Sequence, residues 1–200
     1  AVSAVQGCGG RSNGGIGALT GFLSAFLNVR FIAPATAGVA LAATIGAGAT
    51  AQLGSMRINE EIDALEAMGI HAITYLASTR IVAGVLVVIP LYTVAVLMSF
   101  AATRFGTTLI YGQSKGVYDH YFSTFLHPND LFWSFLAAVS MAAAVMVVHT
   151  YYGFTATGGP AGVGEAVGRA VRTSVTATVF VLLTITLSVY GQSGNFHLAG

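Results

Sequence analysis

The stretch GSMRINEEIDALEAMGIH, residues 54–71, decides the fold, because it is a short charged segment between two long apolar ones. The whole chain has 8 basic and 7 acidic residues, and one arginine and four carboxylates of this set lie between Arg57 and Glu66. No charged residue occurs between Arg30 and Arg57, and Arg80 is the only one from His71 to Ala102. A membrane protein needs such a charged island to contact a partner outside the bilayer.

The composition excludes an ordinary water-soluble domain. Hydrophobic residues make up 55% of the 200 positions and charged residues 8%, whereas soluble proteins carry roughly 25% charged residues. We therefore predict an integral membrane protein. The net charge of +1 gives no electrostatic footprint for nucleic acid, and the single Cys8 allows no intrachain disulfide.

Four apolar runs are long enough to cross a bilayer, which takes ~20 helical residues. They cover residues 31–53, 73–101, 131–152 and 170–190. Because none alternates in polarity, the runs predict helices and not barrel strands. The fold class is thus an all-α, polytopic helical bundle, taken as one domain over residues 1–200. Basic residues divide equally between the two sides, so the positive-inside rule does not orient the chain.

Two further segments have other predicted roles. Residues 16–29 are apolar but too short to span alone, and they suit an interfacial or re-entrant segment. The aromatic segment 104–130 suits the membrane interface. We predict that it is a loop.

The first span carries a stripe of small residues at spacings of four, which places them on one helix face. Small side chains let another helix backbone approach closely. The pattern leaves two alternatives open, packing within the chain or an interface with another subunit. The stripe consists of Gly38, Ala42, Gly46, Thr50 and Gly54.

Residues 59–69 predict a short amphipathic helix, in which Asn59 can cap the start and Gly69 can end it. Its apolar residues are Ile58, Ile62, Leu65 and Met68. Such a helix could lie on the membrane surface, but its acidic charge is unsuited to anionic lipid. A protein partner with a basic groove is the favoured interpretation.

The sequence contains little that predicts enzyme chemistry. It has no GxxxxGK[ST] motif, so ATP would have to bind to another chain. His149 is interpreted as hydrogen-bonded packing, and no metal site is predicted. No nucleophile–base pair stands out, and the absence of a carboxylate inside any predicted span argues against a proton-coupled carrier.

Three blocks of this chain resemble the MlaE/YrbE family of ABC-transporter permeases. AQLGSMRINEEIDALEAMG (Ala51–Gly69) resembles the family's signature, GGPAGVGEA (Gly158–Ala166) is similar to a second element, and Arg30 with Pro34 matches a third. Finer features, YGQ and VYDHYF, resemble the B-type YrbE permeases of actinobacterial Mce lipid-import systems.

The resemblance implies five spans after an interfacial helix. Four are visible here, so we expect the first span to lie upstream of Ala1. It also implies a multi-pass protein of the plasma (inner) membrane, with the segments 55–70 and 153–169 on the cytoplasmic side.

The resemblance further implies that residues 59–69 form a coupling helix that contacts a pair of cytoplasmic ABC ATPases, which would hold ATP and Mg, so that no cofactor is expected on this chain. The candidate contact residues are Ile58, Asn59, Glu60, Glu61, Asp63, Leu65 and Met68. Two permeases would enclose a lipid cavity, for which Arg30, Phe31 and Pro34 are candidates. Mce lipid-binding proteins would join on the outer side.

Two departures from the family pattern favour pairing of unlike permeases. Gln52 and Phe31 each stand where the family usually has Glu, so acidic residues are expected on the other copy. The predicted function is lipid import driven by a partner's ATP hydrolysis, with a fatty acid, a mycolate-like acid or a sterol as the lipid. The alternative is a scaffold that anchors Mce proteins without transporting lipid.

Overall fold

The computed structural model describes residues 27–105 and 128–190, and within these ranges all regular structure is helical. Helix α1 is continuous and contains two π-helical turns. We label the remaining helices α2 to α5 in chain order. Helix α1 consists of π-helical Asn28–Ile32, α-helical Ala33–Leu41, π-helical Ala42–Gly46 and α-helical Ala47–Ile58. Helix α2 covers Glu61–Ala67, and helix α3 consists of π-helical Ile73–Ala77 and α-helical Ser78–Phe105. Helix α4 covers Pro128–Phe154, and helix α5 covers Gly159–Tyr190.

Four of these helices are long and apolar enough to cross a membrane, which confirms the all-α polytopic fold. The membrane-length parts are Val29–Ile58, Ile73–Ala102, Asn129–Phe154 and Gly159–Val189. Three of them contain the predicted runs 31–53, 73–101 and 131–152 and extend beyond them by at most five residues. Residues 16–26 of the predicted interfacial segment and most of the predicted 104–130 loop lie outside the described residues.

The fourth span, helix α5, differs from its prediction, because it begins at Gly159 and not near residue 170. The predicted runs leave residues 153–169 between the third and the fourth, yet only Thr155 to Gly158 separate α4 from α5. Gly158 and Gly159 have φ angles of 90° and 70°, which glycine adopts without strain. Pro160 follows in the first turn, where its missing N–H costs no hydrogen bond. The glycine-rich block is therefore a helix start.

Contacts group the described residues into two compact units. One contains the residues up to Thr36 together with Leu91–Leu136, and the other contains Ala37–Pro90 together with the residues from Ala137 onward. Helices α1, α3 and α4 each contribute residues to both units. The short helix α2 belongs to the second unit, with the small-residue stripe and all of α5.

Candidate functional site

The small-residue stripe of α1 packs against helices of the same chain. A Cβ atom at Gly38 would lie 2.9 Å from Cγ2 of Thr178, and one at Gly54 would lie 2.9 Å from Cγ1 of Val163. At Gly46 it would lie 2.6 Å from the ring of His149. Each distance is too short for a real methyl group. Of the two alternatives open from the sequence, these contacts are those of packing within the chain.

The same stripe carries a buried polar network that connects three spans. Oγ1 of Thr50 in α1 lies 2.7 Å from Nδ1 of His149 in α4, and Nε2 of His149 lies 3.1 Å from Oγ of Ser174 in α5. All three residues are fully buried. Oγ of Ser174 also donates to the carbonyl of Val171. Buried polar groups in a membrane helix need such partners, and the geometry agrees with the packing role predicted for His149.

The inner face of α2 is covered by the protein itself. Ile62 is 2% exposed and packs in a cluster with Leu53 of α1 and with Ala72 and Leu76 at the start of the next span. Leu65 of α2, Met56 of α1 and Phe154 of α4 extend this cluster. The apolar face is thus already occupied. Leu65, a predicted partner contact, lies on this inner side.

The outer face of α2 is acidic and exposed. Besides two alanines, the exposed residues of α2 and of the positions next to its ends are Asn59, Glu60, Glu61, Asp63, Glu66 and Met68. Nη1 of Arg57 lies 2.7 Å from Oδ1 of Asp63, so one carboxylate is paired within the segment. Met68 was predicted to share the apolar face, but it follows the last helical turn and is 68% exposed. The surface offered to a partner therefore combines carboxylates with one large apolar side chain, while Ile58 is half-buried.

The start of α2 differs from its prediction, whereas the end of the helix lies where it was predicted. Asn59 does not cap α2, because it is the C-terminal cap of α1. Glu60 precedes α2 instead, in the left-handed conformation with φ 60° and ψ 15°. At the other end Gly69 has φ 78°, its N–H donates to the carbonyl of Glu66, and the N–H of Ile70 donates to that of Leu65. This pair of bonds is the Schellman motif, and Gly69 ends the helix as expected.

Arg80 has polar contacts on the first span. Its Nη2 lies 3.4 Å from Oε1 of Gln52 and 3.9 Å from Sδ of Met56. Gln52 stands where the resemblance described above leads us to expect Glu. The neutral amide of Gln52 therefore contacts the guanidinium of Arg80, which a carboxylate would bind more strongly.

The three candidates for a lipid cavity lie in the first unit. Nη2 of Arg30 donates to both oxygens of Asp130, at 3.0 and 2.9 Å, and the two side chains are only 10% and 17% exposed. Phe31 is half-buried and Pro34 is buried. Asp130 was not among the site residues predicted from the sequence. The available signal was that Asp130 opens a span and is one of only three carboxylates outside residues 60–66.

The described residues contain no group of three or more His, Cys, Asp or Glu side chains that could hold a metal ion. This part of the chain presents an exposed acidic helix beside a packed bundle of membrane-length helices. This arrangement suits binding to another protein.

Comparison with known proteins gives relatives of one kind. The chain is 28% identical to the chloroplastic protein TRIGALACTOSYLDIACYLGLYCEROL 1 of Arabidopsis thaliana, over 84% of this chain and 48% of that protein. It is 27% identical to a probable ABC transporter permease protein of Synechocystis, over 74% of this chain and 56% of the relative. For a probable ABC transporter permease protein of Rickettsia prowazekii the values are 24%, 78% and 59%.

The chain spans about half the length of the curated relatives it matches. The family model described as Permease MlaE matches residues 1–188, which is most of the sequence. With four membrane-length helices among the described residues and a match of this extent, the chain is a multi-pass membrane protein that belongs to the MlaE permease family.

Proposed function

We propose that this chain is the membrane permease of an ABC-type lipid transporter, and that a separate ATPase docks on the exposed face of α2. The observation that carries the proposal is the division of α2 into two faces. Ile62 and Leu65 are held in the protein's own apolar cluster, whereas Glu60, Glu61 and Glu66 face outward.

The chemistry of the outer face indicates what kind of partner would bind. Carboxylates attract a basic surface, and such attraction acts mainly on the rate and specificity of association. Met68 adds a flexible apolar side chain, and methionine fills irregular pockets well. We therefore expect a groove on the ATPase with basic residues at its rim and an apolar floor. ATP and Mg would be held by that partner.

The docking proposal is tested by reversing charge on this face alone. We expect Glu61→Lys combined with Glu66→Lys to release the ATPase, because two attractive contacts become repulsive. Asp63 is left unchanged because it pairs with Arg57. The measurement is the amount of ATPase that co-purifies with the tagged permease.

The matched control is Glu165→Lys, which reverses an exposed carboxylate of α5 that lies 3.4 Å from Arg169. This variant should retain the ATPase. Undiminished ATPase on the doubly reversed permease, at equal membrane expression, would refute docking through α2. A docking interface of this kind should also weaken as ionic strength rises, since exposed charges are screened.

The transported substrate is proposed to be a lipid. The support is the apolar bundle and a relative whose name contains that of a glycolipid. Within this class a fatty acid, a mycolate-like acid or a sterol would each suit an import system of the Mce type in the plasma membrane, with Mce lipid-binding proteins on its outer side. Mass spectrometry of the purified complex would identify the retained lipid and the bound proteins together.

The rival function is a scaffold that anchors lipid-binding proteins without moving lipid. Blocking ATP hydrolysis on the partner separates the two functions. A transporter stops taking up lipid when hydrolysis stops, while a scaffold continues to support any uptake that depends on anchoring alone.

A further inference from the structure

We propose that α2 and the ends of the spans beside it move as one rigid body. Packing of Ile62 is the contact that connects them. The inference rests on the proposed function, because it states how a motion imposed on α2 by an ATPase would reach the membrane. The competing possibility is that α2 pivots against the bundle at the strained residue Glu60.

The backbone between α1 and α2 has no gap that could act as a pivot. The N–H of Asn59 donates to the carbonyl of Ser55, and that of Glu60 donates to the carbonyl of Arg57. The N–H of Ala64 then donates to the carbonyl of Glu60. A hinge needs backbone that can change its φ and ψ angles freely. Here such a change would break hydrogen bonds on both sides of the bend.

Further contacts hold α2 at both ends, a side-chain ion pair at the start and backbone hydrogen bonds at the finish. The ion pair of Arg57 with Asp63 crosses the bend from α1 to α2. At the far end, the Schellman bonds around Gly69 fix the exit of the chain towards the second span. Left-handed backbone at Glu60 is stabilised by this surrounding structure.

Ile62, in the first turn of α2, provides the buried contact of this helix. It is 2% exposed and packs with Leu53 of α1 and Leu76 of α3, and Phe154 of α4 borders the same cluster. One side chain of α2 thus contacts a cluster built from three spans. Because packed interiors resist compression, a push on α2 should move these span ends with it.

The polar network of Thr50, His149 and Ser174 carries the connection to α5. It ties α1 and α4, which the Ile62 cluster also joins, to the remaining span. The two sets of contacts share no residue. Together they leave no span of this unit unconnected to α2.

The first test measures rigidity in the permease assembled with its ATPase. Nitroxide labels are placed on cysteines at Ala67 and Val82, which are both exposed, with Cys8 replaced by serine. We expect a narrow distribution of distances between the two labels, with the same mean without nucleotide and with ATP plus vanadate. A distance that changes on nucleotide binding overturns the proposal.

The second test measures coupling in Ile62→Ala. We expect the ATPase to remain bound and to hydrolyse ATP, while lipid moved per ATP falls about ten-fold, a typical size for a coupling between sites. The probe is the lipid that mass spectrometry identifies, labelled and reconstituted into vesicles. Ile62→Leu should restore coupling, and Ile73→Ala, at a residue 65% exposed, should leave it unchanged.

The possible outcomes distinguish failure of this inference from failure of the proposed function. An assembled Ile62→Ala complex with unchanged coupling overturns the inference and leaves the proposed function intact. A wild-type permease that binds no ATPase overturns the proposed function, and this inference with it. If Ile62→Ala does not fold, Ile62→Val serves in its place, and it must lower coupling by a smaller but measurable factor for the inference to stand.

Discussion

At the scale of single residues, Gly46 shows how closely the first and third spans approach. Its Cα lies so near the His149 ring that a methyl group would meet ring atoms at 2.6 and 2.7 Å. That ring is fixed by hydrogen bonds at both nitrogens and cannot move aside without breaking them. Gly48, two residues later, has nothing within 4 Å of an added Cβ.

This contrast gives a matched pair of variants. We expect Gly46→Ala to lower the free energy of unfolding by about 1–3 kcal/mol, the usual cost of overpacking. Gly48→Ala should be neutral or should stabilise by up to ~1 kcal/mol, because alanine favours a helix. Thermal unfolding in detergent, followed by the fluorescence of the single Trp133, would compare them. Equal melting temperatures for the two variants would contradict the close contact at Gly46.

At the scale of helices, two ion pairs connect elements in different surroundings. Arg30 of α1 and Asp130 of α4 are largely buried, whereas Arg57 of α1 and Asp63 of α2 are 42% and 58% exposed. A carboxylate removed from the first pair leaves a poorly solvated guanidinium. The same change in the second pair leaves an arginine in contact with water.

We therefore expect Asp130→Asn to cost about 3 kcal/mol of unfolding free energy, as for the loss of one partner of a buried pair. Asp63→Asn should cost at most about 1 kcal/mol, as for an exposed pair. The same fluorescence measurement serves, repeated at high salt, which should affect only the exposed pair. A smaller loss for Asp130→Asn than for Asp63→Asn would show that Arg30 does not depend on this carboxylate.

Most elements of this fold could be predicted from the sequence, and the misses have physical reasons. Length and apolarity determine where a helix can cross a bilayer, so three spans were placed well. The start of α5 was missed because the span was located by its apolar run, and residues 159–169 contain glycines and the charged Glu165 and Arg169. Pro160 was the available signal, since proline favours the first turn of a helix. Asn59 was assigned as a cap from residue preference alone, which cannot tell the end of one helix from the start of the next.

The candidate site was predictable in its chemistry and less so in its geometry. The acidic residues of α2 are visible in the sequence as charges. Which apolar residues of α2 would be covered by the same chain depended on Leu53, Leu76 and Phe154, and contacts so distant in sequence leave no periodic pattern. Asp130 was missed for the same reason, since it lies 100 residues from Arg30.

At the scale of the whole molecule, the neutral Gln52 beside Arg80 bears on which chains assemble. We predict that this permease pairs with an unlike permease that retains the acidic residues. Native mass spectrometry of a complex purified through a tag on this chain should show one copy of it for each copy of the second permease. Two copies of this chain in one complex would contradict the prediction.

The contact between Gly46 and His149 also limits how the helices can slide. One turn before and after Gly46 on the same face are Ala42 and Thr50, and both carry a Cβ atom. A one-turn ratchet of α1 along α4, a motion known from other switching proteins, would bring a methyl or a hydroxyl-bearing carbon into the space that only a hydrogen fits. The imidazole and the glycine thus oppose a one-turn slide of α1 along α4, and we expect any change of state in this unit to keep their axial register.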